Sequence, residues 1–356
     1  MNNRIKSFGR KILAPFFLLS YGINKKKLNT ASDGSSLKNG ISAVISMKDE
    51  EYTIEACIRS LNGFADQIIC IDNGSTDKSI DIVSRLQKEM EHLELVEMPG
   101  ALLGDCRNEG LKLTKYKWHL RWDADMIAHT DGPNSFSNLK LKILKSDSPR
   151  TIQLPRINLN GDFYHATKGK ISDEGEPILM RYTKDIIYKE YGKFDSIKVP
   201  YYFKQIKETR NYYLHCQGLK SDENLIHRFH YFTWRKYINE NDKFQLSKEA
   251  FIEKRNAYYF ETNNKLKVNY RYQRQNVLRF IKYKTDDYID YPTELKKMMS
   301  KNNRFEMVYK NDKPYIRIDN ENESMKMFTP DQSDINWSVE HFFTKVQKES
   351  INQYLR

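Results

Sequence analysis

Between Ile41 and Glu97 short apolar runs alternate with single amphipathic segments, and this alternation limits the chain to a small set of architectures. Ile41–Met47 (ISAVISM) is a run of strand length; after the charged turn Lys48-Asp49-Glu50-Glu51, Ile54, Cys57, Ile58 and Leu61 recur at helical spacing. Gln67–Asp72 (QIICID) reads as a second buried strand. It ends in Asn73-Gly74-Ser75-Thr76-Asp77, before a helix carrying Ile80, Val83 and Leu86, and Leu93–Glu97 makes a third strand. The pattern predicts an α/β fold, a mainly parallel sheet with helices on both faces. Ligands of such sheets bind at the carboxyl ends of the strands, and here those ends carry the acidic loops.

Pro99–Gly104 reads as a loop and Asp105–Leu113 as a helix with Arg107, Asn108 and Gly110 in its first turn. Then comes Trp118–Met126 (WHLRWDADM), where an aromatic and apolar run stops at two aspartates. If residues 118–123 are extended, positions two apart share a face, so Asp123 and Asp125 converge while Ala124 turns away. Trp118, Leu120 and Trp122 then pack one face of a central strand, with His119 and Arg121 on the side of the aspartates or in its neighbouring layer. Two hard oxygen ligands suit Mg²⁺ or Mn²⁺, ions that keep positions open for phosphate oxygens. An Asp-x-Asp triplet also arises by chance, so its weight comes from its place in the chain. Further on, Leu139, Ile143 and Leu144 mark a helix and Thr151–Leu159 a strand interrupted by Pro155. Ile178–Tyr182 and Ile186–Tyr191 read as two strands joined by a short turn. No internal repeat is visible, which argues against a solenoid or propeller.

A chain of 356 residues, 39% hydrophobic and 13% aromatic, can bury a sizeable core as one large domain with an appendage or as two domains. Lys and Arg number 59 against 47 Asp and Glu, a formal charge of +12 that suits an anionic partner: a nucleotide, a phosphorylated lipid, a membrane surface or nucleic acid. Cys57, Cys70, Cys106 and Cys216 have neither the spacing of a zinc site nor the density of a disulfide framework. They are expected as buried free thiols in a reducing compartment.

Both ends differ in texture from the middle. Arg4, Lys6, Arg10 and Lys11 precede the apolar run Ile12–Ile23, which resembles a signal-peptide core but lacks a small-x-small cleavage site, contains Pro15 and runs into Lys25-Lys26-Lys27. It is shorter than the roughly 20 apolar residues of a membrane span. Two readings stand: an interfacial anchor flanked by basic residues, or a loose or core-docked tail. Thr30–Gly40, rich in Ser, Asn, Asp and Gly, reads as a linker. The expected plan is a basic and apolar segment with linker at 1–40, a domain at 41–234, and an extension at 235–356 that is mostly helical. In the extension, helices are expected over Trp234–Asn264 and hairpin-like strands at Phe305–Tyr309 and Tyr315–Ile318 around Asn311-Asp312. The Lys, Arg and Tyr of Tyr270–Tyr283 could form a nucleic-acid surface, but such a run is more often the solvated face of a helix, and no nucleic acid is expected.

Taken together these pieces resemble family-2 glycosyltransferases, inverting enzymes of the nucleotide-binding GT-A fold, and among them bacterial lipopolysaccharide-core and capsule-type members. The resemblance covers about Ile41 to Trp234. Ile41–Glu51 is similar to that family's first strand and Asn-Glu-Glu loop, with Asp49 where Asn is usual. Ile71–Ser79 (IDNGSTDKS) matches its Asp-x-Gly-Ser-x-Asp signature, the most specific piece. Arg107-Asn108-Glu109-Gly110 resembles its Arg-Asn-x-Gly helix start, with Cys106 in place of the common Ala, and Asp123-Ala124-Asp125 its metal triplet.

The resemblance implies a sugar transferred from a nucleotide donor, a UDP-sugar, to a hydroxyl of a cell-envelope glycan or glycolipid, with Mg²⁺ or Mn²⁺ as cofactor. It implies Asp72 and Glu50 on the base or ribose, Arg107 on the diphosphate, Asp125 on the metal, and Asp123 on the metal or the donor's ribose and sugar. The structural alternatives are a turn closed by Asp72 with Ser75, Thr76 and Asp77 capping the next helix, and a surface ion pair for Arg107. The general base of the family is an acidic residue after the metal triplet. Asp195, standing where a His-Glu pair is found in similar members, is the first candidate, with Glu190 and Asp173 as rivals. His215 either completes the metal or diphosphate site or is a hydrogen-bonded core histidine. The basic ends imply a cytoplasmic protein, peripheral on the inner membrane face. Other functions compatible with the motifs are a sugar-phosphate nucleotidyltransferase, though no Gly-rich phosphate loop is present, and an inactive nucleotide-sugar binder.

Overall fold

The computed structural model describes residues 26–159, 163, 177–191, 194–216, 219, 222–240, 246–280, 290–301, 308–310, 313–315, 317–318, 326–327 and 330–349, with positions 16, 19 and 22. The apolar run Ile12–Ile23 and Asp173 therefore lie wholly or mostly outside the described residues. The chain forms two compact units, one of Met1–Ile157, Ile171–His215 and Tyr291–Leu295, the other of Asn158–Lys170, Cys216–Asp290 and Lys296–Arg356.

The first unit is built on a seven-stranded sheet. Three of its strands, β1 (Lys38–Met47), β2 (Gln67–Asp72) and β3 (Leu93–Glu97), run parallel side by side, and β4 (Tyr116–Asp123) is parallel to β1 on the other edge. After β5 (Met126–Ala128) come β6 (Arg150–Gln153), β7 (Ile157–Asn158) and β8 (Pro177–Arg181); β8 lies between β4 and β6, antiparallel to both. The strands expected at 178–182 and 186–191 both form but part company: β9 (Ile187–Tyr191) pairs with β10 (Phe194–Lys198) as a separate antiparallel hairpin. Next, β11 (Lys204–Lys207) adds to β6 at the sheet edge, and β12 (Tyr213–His215) joins β5 and β7 in a small second sheet.

Helices cover both faces, because successive strand residues point to opposite sides. On one face Ile41, Ala43 and Ile45 of β1 and Trp118, Leu120 and Trp122 of β4 pack with α1 (Ile54–Leu61), α2 (Ser79–Gln87) and, once the chain passes α3 (Leu103–Leu113), with α4 (Phe136–Ile143). On the other face Val44, Ile69 and Ile71 meet Cys106 of α3. All four cysteines are buried free thiols, as expected.

Residues 30–40 do not behave as a linker. Leu28, Ala31 and Leu37 are buried with Leu111, Met180, Tyr182 and Ile186. Arg181, 1% exposed, donates to the carbonyl of Lys117 at 2.6 Å and to Asn29 Oδ1 at 2.7 Å, and Ser32 Oγ bonds Tyr182 Oη at 2.7 Å. The polar residues here make turns that let three apolar side chains dock, a use of Ser, Asp and Gly that composition does not separate from a free chain.

The C-terminal part is mostly helical: α5 (Asp222–Glu240), α6 (Lys248–Phe260), α7 (Lys265–Phe280), α8 (Thr293–Lys301), α9 (Gln332–Asn336) and α10 (Val339–Gln347). β13 (Val308–Lys310) and β14 (Lys313–Tyr315) pair across positions 311–312, where the turn was expected, while β15 (Arg317–Ile318) pairs with β16 (Lys326–Met327). In the second unit Tyr237, Phe251, Tyr259, Phe260, Trp337 and Phe342 form an aromatic core to which Ile226, Phe229 and Trp234 of α5 contribute. That packing places α5 in the second unit, so the compact units part between His215 and Cys216, ahead of the boundary read from composition at Trp234.

The basic run from Tyr270 is not simply a solvated face. Arg271 is buried against Asp334, with Nε 3.0 Å from Oδ1, and Arg274 donates to the carbonyls of Asp334, Ile335 and Trp337 at the end of α9. Among the described residues no helix is long and apolar enough to cross a membrane.

Candidate functional site

The register of the parallel strands decides what meets at their carboxyl ends. Met47 lies opposite Asp72, and Ser46 opposite Asp123, so the ends of β1, β2 and β4 lie along one edge of the sheet. The loops that leave β1 and β2 are laced together. Asp49 adopts a left-handed conformation, φ 53°, and its Oδ1 accepts from Thr76 N at 2.7 Å, while its own N–H donates to Ser75 Oγ at 2.9 Å. Glu50 N–H donates to Ser79 Oγ at 2.8 Å, and Glu51 N–H to Asp77 Oδ2 at 3.0 Å. The departure Asp49 is thus conservative in shape, since Asp and Asn are the non-glycine residues that best tolerate this region.

Asp72 is buried at the tip of β2, 1% exposed. Its Oδ2 accepts from Gly74 N at 2.7 Å and Ser75 N at 2.9 Å, and its Oδ1 from the Ser75 hydroxyl. Gly74, at φ 78°, supplies the left-handed turn that aims these N–H groups. Asp77 Oδ1 accepts from Ser79 N at 2.9 Å at the start of α2. The turn closed by Asp72 is therefore present and Asp77 bonds the first N–H of α2, while the Ser75 and Thr76 side chains bond Asp72 and Asp49 and do not cap that helix. Glu50 is nearly buried and accepts from Thr53 Oγ1 at 3.2 Å.

Helix α3 begins at Leu103, two residues earlier than its pattern suggests, which puts Arg107 in the second turn. The Arg107 guanidinium, with the residue 4% exposed, donates through Nη2 to Asp123 Oδ1 at 2.7 Å and through Nη1 to Asp195 Oδ2 at 2.6 Å. Its Cζ stands 5.7 Å from the centre of the Tyr188 ring. This is a buried, forked bridge rather than the surface ion pair considered for it. It links the end of β4 to the β9–β10 hairpin. Burial works to raise the Asp123 pKa, but Arg107 and Arg121 outweigh it and hold the carboxyl below its ordinary value. Glu190 lies opposite Asp195 in the hairpin register.

Asp125 sits in the turn between β4 and β5, held there by Trp122 Nε1 donating to Met126 O at 3.0 Å. β12 pairs with β5 so that His215 lies opposite Met126, and His215 Nε2 comes 3.0 Å from Asp125 Oδ1. Both side chains are buried. Among the described residues no group of three His, Cys, Asp or Glu side chains stands in metal-holding geometry. Asp125 and His215 provide a carboxylate and an imidazole at one point, with the Asp123 carboxylate turned toward Arg107. A divalent ion held by one or two protein ligands and completed by phosphate oxygens fits that donor set.

No role was legible in the sequence for three neighbours of the site, His119, Tyr188 and Asn108. His119 Nε2 lies 3.2 Å from Tyr188 Oη. Burial, reinforced by Arg121 and Arg107, pushes the His119 pKa down to about 3. Asn108, noted only as part of a motif, has its side-chain amide on the backbone of Tyr188, accepting from its N–H and donating to its C=O, each at 2.8 Å. Only the adjacency of Asn108 to Arg107 in the chain could have signalled the last, because Tyr188 is 80 residues away.

Residues 42–133 match the family described as Glycosyl transferase family 2. The chain is 35% identical over 72 residues to the putative glycosyltransferase TagX of Staphylococcus aureus (strain MRSA252), a stretch that is 20% of this chain and 20% of the relative. It is 33% identical over 96 residues to the poly(ribitol-phosphate) beta-glucosyltransferase of Bacillus spizizenii (strain ATCC 23059 / NRRL B-14472 / W23), covering 24% of this chain and 14% of that protein. The matched part is thus about a fifth or less of the length of these relatives. Among solved structures, S. aureus TarS 1-349 in complex with UDP is similar with a TM-score of 0.38 and 16% identity, covering 80% of this chain and 98% of that one.

Proposed function

From the family-2 glycosyltransferase segment that the chain carries at residues 42–133, we propose that it is an inverting glycosyltransferase using a UDP-sugar. The acceptor is a hydroxyl of a cell-envelope polymer of the polyol-phosphate kind. The observation that carries the reading is the Arg107 bridge, which joins the first aspartate of the triplet to Asp195 at the carboxyl edge of the sheet.

In this reading Asp72 and Glu50 hold the nucleoside, and Arg107 lies beside the diphosphate as a permanent cation with a planar fork of donors. Asp125 and His215, with Asp123 next to them, would hold Mg²⁺ or Mn²⁺, which when bound supplies positive charge for the departing diphosphate. Asp195 takes the proton from the acceptor hydroxyl as its oxygen attacks the anomeric carbon on the face opposite the leaving group, and that direction of attack inverts the configuration. The arrangement is acid–base and electrostatic throughout; no protein nucleophile is required.

The family match ends at residue 133, before β8, β9, β10 and β12, so the acceptor rests on other grounds. They are the poly(ribitol-phosphate) named for one relative and the formal charge of +12, which suits a polyanion better than a neutral glycan. The resemblance to lipopolysaccharide-core members has no counterpart in the names of the two relatives given above. The same charge supports work at the inner membrane face.

Thermal unfolding of the full chain with UDP, GDP, UDP-glucose and UDP-N-acetylglucosamine, with and without Mn²⁺ or Mg²⁺, tests the reading. A ligand at 100 times its Kd stabilises by about 2.7 kcal/mol. A uridine nucleotide should raise the midpoint in a metal-dependent way, and Asp125→Ala should abolish the metal dependence. If no nucleotide shifts the midpoint, the proposal fails; stabilisation without turnover favours a nucleotide-sugar binder.

A further inference from the structure

The β9–β10 hairpin that carries Asp195 pairs only with itself among the described strands and stands outside the seven-stranded sheet. Its place relative to the sheet is therefore not set by a strand ladder. Two consecutive residues of α3 reach it. Arg107 holds β10 through Asp195, and Asn108 holds β9 through both backbone groups of Tyr188. The amide docks on Tyr188 as the next strand of a sheet would, giving and taking one hydrogen bond of 2.8 Å each.

The two attachments differ in what they can survive. Arg107 is a charged group beside which the reading above places a diphosphate, and an incoming anion competes with Asp195 for its donors. Asn108 is neutral and its bonds go to backbone, so its hold does not depend on what Arg107 is doing. Tyr188 is itself buried, with its hydroxyl on His119, so its backbone cannot shift without unpacking that side chain.

We infer that Asn108 is a positioning residue, fixing the hairpin so that the Asp195 carboxylate keeps its place when Arg107 turns to the donor. The inference rests on the assignment of Asp195 as the base. Asn108 touches no reacting atom; its effect passes through the backbone of β9, where Tyr188 lies opposite Ile197 of β10, two residues along the hairpin from the Glu190–Asp195 pair.

The test is a double-mutant cycle in the full chain, with Mn²⁺ present, reading UDP release from UDP-hexoses with water as acceptor and UDP affinity by calorimetry. Asn108→Ala should lower kcat about 10- to 100-fold, as a displacement near 1 Å does. UDP Kd should stay within about twofold. In the Asp195→Asn background the same substitution should cost nothing more, because the carboxylate it positions is gone. Asn108→Asp keeps the acceptor for Tyr188 N–H but loses the donor, and should fall between; it also carries the cycle if the alanine variant does not fold. A merely structural Asn108 would weaken UDP binding and turnover together and multiply with Asp195→Asn, and that result overturns the inference. So does unchanged kcat in Asn108→Ala. Wild-type protein that neither binds UDP nor releases it would overturn the glycosyltransferase reading itself. Unchanged turnover in Asp195→Asn would remove the base, and the inference with it.

Discussion

Gly110 of α3 lies so close to Val44 of β1 that a Cβ added to the glycine would meet Val44 Cγ2 at 2.9 Å and Cγ1 closer still. In an open helix, Gly→Ala gains about 1 kcal/mol. Here the sign reverses, because the methyl has to displace a buried β-branched side chain. Gly110→Ala should destabilise by about 1–3 kcal/mol, read as a lower urea midpoint with unchanged slope. Val44→Ala in the same chain should recover part of the loss; an alanine variant as stable as wild type would contradict the contact.

The left-handed Asp49 predicts a different ranking. Asp49→Asn keeps both the tolerance for φ 53° and an acceptor for Thr76, and should change stability by less than about 0.5 kcal/mol. Asp49→Val removes both and should cost about 1–3 kcal/mol. Equal midpoints for the two variants would remove the argument.

Arg107→Lys retains the charge and loses the fork. One ammonium cannot repeat the paired geometry to Asp123 and Asp195, and Asp195 is buried. The expected cost is about 1–3 kcal/mol of stability, together with weaker UDP binding. Lysine that supports wild-type affinity and stability would show the fork to be dispensable.

Acid should act through His119. Its folded pKa of about 3 lies below the ordinary 6.5, so the unfolded chain binds the proton first. The stability tied to neutral His119 is present above pH 6.5 and is lost as pH falls from 6.5 toward 3, at up to about 1.4 kcal/mol per pH unit. His230 in the second unit, pushed down to about 3 chiefly by burial, adds a loss of the same sign. Urea midpoints at pH 7 and pH 5 should therefore converge in His119→Gln relative to wild type. A pH dependence identical to wild type would assign the effect elsewhere.

The sheet was legible because its strands are nearly continuous apolar runs that end on charged residues. Asp72 closes β2 and Asp123 closes β4, where the apolar residues stop. What local pattern cannot carry is pairing over long separations. Nothing in Pro177–Arg181 marks it as antiparallel to its neighbours, and nothing near Tyr188 points to Asn108. The same limit turned Ala31 and Leu37 into parts of a linker, since their partners Met180, Tyr182 and Ile186 lie far along the chain. His215 was left between two readings because its neighbour Asp125 is reached only through the pairing of β12 with β5.

The docked stretch before β1 bears on how this protein can be shortened. A gene trimmed to begin at Ile41, where the apolar strand pattern starts, would uncover Met180 and Tyr182 and leave the Arg181 guanidinium, 1% exposed in the intact fold, without Asn29. Such a fragment would carry every residue of the site and still be prone to stick to itself at the β8 side. A trimmed version that keeps the chain from Lys26 onward retains the cover.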